Sequence, residues 1–214
     1  MRALVLAPYD GTLIVENANT LAKYILAALE AEGFIVDLLE GNEVKRANLP
    51  DQQYDCIAYC GHGNAKELTP NGQPIFDDSN ASYFAGAVVI AIACESAKWL
   101  GLTAVSKGAK AYIGFTDLVY IPESTDAHNY MGDFVRAFMT IPLSLLDGYT
   151  VNQAVQNFKE QCDRYAQKYD EKEYDEVYGA MYAFMVHNGS VVSYEGKPSA
   201  SLGDEILVVS CETA

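Results

Sequence analysis

The stretch Ala87-Val88-Val89-Ile90-Ala91-Ile92-Ala93-Cys94-Glu95-Ser96 decides the reading of the chain. From Ala87 to Ala93 every residue is apolar and small or β-branched, with no polar residue alternating. That pattern predicts a parallel strand covered on both faces. The first polar side chains after it, from Cys94 onward, then emerge at the carboxyl end of the strand. Open α/β sheets gather ligands and catalytic groups at that edge.

Working outward, residues 55–61 form another strand candidate, followed directly by His62, Gly63 and Asn64. Downstream, 96–107 reads as a helix closed by Gly108, and 111–115 as a further strand. At the start of the chain, 2–7 reads as a strand ending in Pro8-Tyr9-Asp10-Gly11. Leu21, Ile25, Leu26, Ala28 and Leu29 then set a helical stripe over 19–32, Gly33 ends it, and 34–39 is another strand. Strands alternating with helices produce a mostly parallel sheet with right-handed crossovers, so the expected fold class is α/β. The long polar segment 64–82, with Pro70, Gly72 and Pro74, reads as a functional or mobile loop.

Beyond residue 117 the pattern becomes more helical, over 125–139 and 151–169. In the second of these, Thr150 and Gln153 have the spacing of a capping box. His187-Asn188-Gly189, between apolar 180–186 and 190–194, reads as the turn of a β-hairpin, and 206–209 as a last strand. The expected organisation is a single domain over 1–214, with an α/β unit in 1–117 under a helical and small β cover in 118–214. Tyr165, Tyr169, Tyr174, Tyr178 and Tyr182 suit a packing surface or the face of a homodimer.

Composition narrows the partners. Fourteen basic against 29 acidic side chains give a net charge of −15, a field that repels nucleic acid and anionic lipid and draws basic peptides. The apolar run 3–7 is too short for a secretory signal, and no stretch approaches the roughly 20 apolar residues of a membrane span. A soluble, cytoplasmic protein is expected. Five irregularly spaced cysteines suit free thiols in a reducing compartment.

If the strands ending before His62 and Cys94 are neighbours, imidazole and thiol emerge side by side at one sheet edge, as a nucleophile and its base require. A helix starting at Ser96 would add N–H groups favouring the thiolate, and Gly63 lets the chain approach closely there. Taken singly, Cys94 is as readily a core thiol and His62 a turn histidine; their joint placement favours the dyad. Zinc held by Cys60, His62 and Cys94 with His128 or His187 lacks any Cys-x2-Cys pair, so no metal and no cofactor is expected.

Cys60-Gly61-His62-Gly63, Ala91-Ile92-Ala93-Cys94-Glu95-Ser96 and Gly108-Ala109-Lys110-Ala111-Tyr112-Ile113-Gly114, in this order, resemble the caspase, gingipain, separase and CHAT peptidase clan over roughly residues 2–117. The resemblance implies a three-layer caspase-like fold and a regulated cysteine endopeptidase acting on protein or peptide substrates. It implies His62 and Cys94 as the catalytic dyad and the backbone amides of Gly63 and Cys94 as oxyanion donors. It also implies an S1 pocket built at strand ends, where Asp10 and Asp117 are the candidate lining residues. Control by autocleavage, dimerisation, an activating ligand or a partner protein is expected. The Gln-Ala-Cys-x-Gly pattern of true caspases is absent, and Ile92 stands where members cutting after basic residues often carry aspartate. Two alternatives remain: a catalytically silent caspase-like binding module, and another cysteine hydrolase such as a glutamine amidotransferase. Against the latter, Ile92 and Ser96 replace the glycines of its Gly-x-Cys-x-Gly elbow.

Overall fold

In the computed structural model, which describes residues 1–122, 130–170 and 176–203, one sheet organises the chain. Its strands are β1 (Arg2–Ala7), β2 (Ile35–Glu40), β3 (Cys56–Cys60), β4 (Val88–Ile92), β5 (Ala111–Phe115) and β6 (Val192–Gly196), in the spatial order β2-β1-β3-β4-β5-β6. The first five are parallel, and β6 pairs antiparallel to β5 at one edge. The strands β3, β4 and β5 are buried at every position, as the unbroken apolar run of β4 predicts.

One face of the sheet is covered by helices. The helix α1 (Leu13–Ala31) is capped by Thr12, whose hydroxyl accepts the Val15 N–H at 3.4 Å. It begins six residues before the apolar stripe that announced it, because the cap sets its start. With α3 (Tyr130–Leu146) and α4 (Val151–Asp170) it closes over Val5, Ala58, Ile90 and Ile113. The capping box of α4 forms as its spacing predicts: Gln153 N–H donates to Thr150 Oγ1 at 3.3 Å, and Thr150 N–H to Gln153 Oε1 at 3.0 Å. Tyr130, Tyr169 and Tyr178 pack ring to ring, joining α3 and α4 to α5 (Glu176–Val191).

The opposite face carries Leu4, Leu6, Ile57, Tyr59, Val89 and Tyr112 and is roofed by the short α2 (Leu100–Ser106) and by loops. Here the polar segment 64–82 proves to be a cover that contributes to the core. Leu68, Ile75 and Phe76 are fully buried, and Arg46 pins the segment through Ile75 O, Asp77 and Ser79.

Two expectations are corrected. His187-Asn188-Gly189 is the last part of α5 and turns no hairpin. A Cβ on Gly189 would lie 2.9 Å from the Cys162 Cβ, so glycine here lets α5 approach α4, and that close packing outweighs its poor helix propensity. No helix starts at Ser96 either; α2 begins only at Leu100. The amides of Glu95 and Ala97 donate instead to Asp117 O and Phe115 O, and Glu95 takes φ 55°, which breaks any helical start. The strand expected at 206–209 lies outside the described residues. Among the described residues, no helix is long and apolar enough to cross a membrane.

Candidate active site

Register places the two candidate catalytic residues. Cys60 pairs with Ile92, so His62 and Cys94 each stand two residues past the paired carboxyl ends of neighbouring parallel strands. Gly61 N–H donates to Ile92 O at 3.1 Å, which extends the pairing toward the site. A Cβ on Gly63 would be 3.0 Å from that of Ala93, so the two segments remain in contact as they leave the sheet.

His62 is held from two sides. The hydroxyl of Tyr59, itself fully buried, donates to the His62 carbonyl at 2.7 Å. The ring Nε2 lies 3.1 Å from Asp10 Oδ2 at the end of β1. A carboxylate accepts only, so Nε2 carries a proton, and in the neutral imidazole Nδ1 is the nitrogen whose lone pair can receive another. Burial pushes the Asp10 carboxyl up, but two bonds from Thr12 and the neighbouring His62 outweigh it and hold the group below its ordinary value. Asp10, expected as a wall of a substrate pocket, thus has the imidazole as its partner. It also edges a polar hollow of about 510 Å³ shared with Tyr9, Asn42 and Asn71.

Cys94 is half-buried, and its Sγ accepts the Val119 N–H at 3.3 Å. Among the described residues, no hydrogen bond joins it to His62. Asp117, at the end of β5, is exposed; its carbonyl receives Glu95 N–H at 2.9 Å, and its carboxylate caps the N–H of Leu118. The Gly63–Leu68 bridge is of the kind whose bonds run from the flanking residues, Asn64 N to Glu67 O and Thr69 N to His62 O. The Gly63 N–H is thereby left unspent among the described residues, as is that of Cys94.

Cys56, Cys60 and Cys162 are core residues. Cys56 and Cys60 are fully buried on the helical face, and burial pushes the Cys56 thiol up to about 12 and Cys60 higher still. Cys162 lies under α5. Among the described residues, no group of three or more His, Cys, Asp or Glu side chains is placed to hold a metal ion. A larger groove, of about 750 Å³, lies between α1 and α3 and touches neither His62 nor Cys94.

Sequence reading missed the clamp around Cys94. Asn188, fully buried on α5, donates from Nδ2 to Tyr120 O at 2.8 Å and accepts Tyr120 N–H at 3.0 Å. His187 Nε2 donates to Leu118 O at 2.9 Å, and Thr116 N–H to Val191 O at 2.8 Å. The end of α5 therefore holds the segment that presents Val119 to the sulfur.

No protein-family model and no curated protein sequence matches the chain. Solved structures do. The chain is similar to the Arg-specific cysteine proteinase gingipain R (RgpB), with a TM-score of 0.59 at 15% identity. That match covers 94% of this chain and 47% of that one. It is also similar to a complex of Porphyromonas gingivalis RgpB pro- and mature domains, with a TM-score of 0.56 at 15% identity over 92% and 47%. The chain spans about half the length of these proteins, and the likeness is one of fold: a mostly parallel, helix-flanked sheet of the caspase-like α/β class.

Proposed function

We propose that this protein is a caspase-like cysteine endopeptidase that hydrolyses peptide bonds in protein substrates. The observation that carries the reading is the matched register of His62 and Cys94 at two adjacent strand ends, in a fold shared with a cysteine proteinase. His62, oriented by Asp10 through Nε2, receives the Cys94 proton at Nδ1. The sulfur attacks the substrate carbonyl, and the amides of Gly63 and Cys94 receive the oxyanion. Collapse to a thioester expels the amine, protonated by His62. Water activated by the same imidazole then releases the acid and restores the thiol. Asp117 is the exposed acid offered to a substrate side chain. The scheme uses no cofactor. Control by a further segment or a partner protein fits a neighbour solved as a complex of pro- and mature domains.

A silent binding module is the second reading, favoured by the absence, among the described residues, of a hydrogen bond between His62 and Cys94, whose sulfur is met by the Val119 N–H and not by the imidazole. Labelling tests the first. Acyloxymethyl-ketone peptides with Arg, Lys, Asp, Leu or Gln at P1, read by intact mass, should give one adduct that is lost in Cys94→Ala. In His62→Ala, labelling should fall by about 10² or more. No adduct from any probe, with Cys94 still alkylated by iodoacetamide, would leave two readings, the silent module and a zymogen awaiting its activator.

A further inference from the structure

We propose that Asn188 is a positioning residue for Cys94, acting through the backbone of Tyr120 and the Val119 N–H. The proposal rests on Cys94 being the reactive thiol of the site above. Sulfur accepts a hydrogen bond far better as thiolate than as thiol, so an N–H aimed at it favours the charged, nucleophilic form. At Cys94 no helix N-terminus supplies such donors, because α2 starts only at Leu100. The Val119 amide, 3.3 Å from Sγ, stands in that place.

An isolated N–H on a loop favours a thiolate only if the loop cannot swing away. Residues 116–122 have no regular structure of their own. Asn188 supplies what a neighbouring strand would: it meets both the N–H and the C=O of Tyr120, one residue beyond the donor, at 3.0 and 2.8 Å. Its carboxamide is fully buried, and when it is removed both Tyr120 groups lose the partner that ties them to α5. The Tyr120 ring, stacked on Phe184 with centroids 5.3 Å apart, fixes the same residue from the side. Helix α5 is itself seated on α4 at Gly189, immediately after the asparagine.

The test reads the thiolate without any substrate: the rate of Cys94 alkylation by iodoacetamide across pH, followed by intact mass, with Cys94→Ala as the blank. The other titratable groups on the segments meeting at Cys94, namely Asp10, His62, Glu95, Lys98, Asp117, Tyr120 and His187, are identical in wild type and variants. Asn188→Ala is expected to slow alkylation about tenfold at neutral pH and to move its pH profile upward, with rates converging at high pH. Val119→Pro deletes the donor while leaving α5 intact and is expected to shift the profile in the same direction. Circular dichroism selects the folded variants. A profile superimposing on wild type in either folded variant overturns the proposal. Loss of support for the peptidase reading shows separately, as no ketone adduct on a wild type whose Cys94 still alkylates.

Discussion

The two faces of the sheet bury their residues equally well but by different means. On the helical face, α1, α3 and α4 lay apolar stripes over the strands, and Phe134, Phe138, Phe158 and Phe115 meet ring to ring. On the loop face, Phe76, Phe84, Tyr112, Tyr83 and Tyr54 make an aromatic chain of their own. The segment bearing the first two is held by side chain to backbone bonds: Arg46 and Asn80 on Ile75 O, and Tyr83 on Pro50 O. Regular helices satisfy their own backbone, so their side chains need only be apolar; an irregular cover needs polar side chains to satisfy its amides and carbonyls. The candidate dyad straddles this divide. Tyr59 on the loop face holds the His62 carbonyl, while α5 on the other face reaches Cys94 through residues 118–120.

Truncating one ring on each face tests the comparison most strongly. Phe158→Ala should cost about 4 kcal/mol, since rigid helices leave the cavity open, and Phe76→Ala about 3 kcal/mol, since its loop can settle inward. Urea denaturation measures both, and equal losses would mean that the loop face is as rigid as the helical one. Next in size is Gly189→Ala, where the added Cβ meets Cys162 across the α4–α5 contact; a loss of about 2 kcal/mol in the same assay is expected. Arg46→Ala removes the pin on the loop face and should cost about 1 kcal/mol, with faster proteolysis confined to 64–82.

The smallest effect is one of pH. Hydrogen bonds from Ser79, then from Arg46, hold the Asp77 carboxyl down to about 2. A carboxyl whose folded value is depressed contributes stability that is complete above the unfolded value, about 3.9, and is lost as pH falls through the folded one. The difference in urea midpoint between wild type and Asp77→Asn should therefore be constant above pH 5 and shrink between about pH 4 and 2. On the helical face Asp133, buried with Lys168, Tyr169 and Arg136 as partners, is also lowered, because these bonds outweigh the opposing effect of burial. Asp133→Asn should shrink in the same direction.

Much of the sheet was legible in the sequence because periodicity and end signals are local. The strand of residues 111–115 matches its apolar run, and Thr150 with Gln153 caps α4 as their spacing requires. The buried anchors of the loop face were not legible, since Leu68, Ile75 and Phe76 are scattered among polar residues with no period. His187-Asn188-Gly189 misled for the opposite reason: its local preference is for a turn, and two distant partners, Cys162 for the glycine and Tyr120 for the asparagine, override it.

By itself the sequence determined that 87–93 is a strand covered on both faces and that His62 and Cys94 each follow directly on a strand, because apolar run length and residue order are properties of the chain. Tertiary structure alone decided the rest of the site. Asp10 meets His62 across 52 positions of sequence, and Val119 meets Cys94 across 25. Contacts of that span are set by strand order and helix packing, which no local pattern encodes.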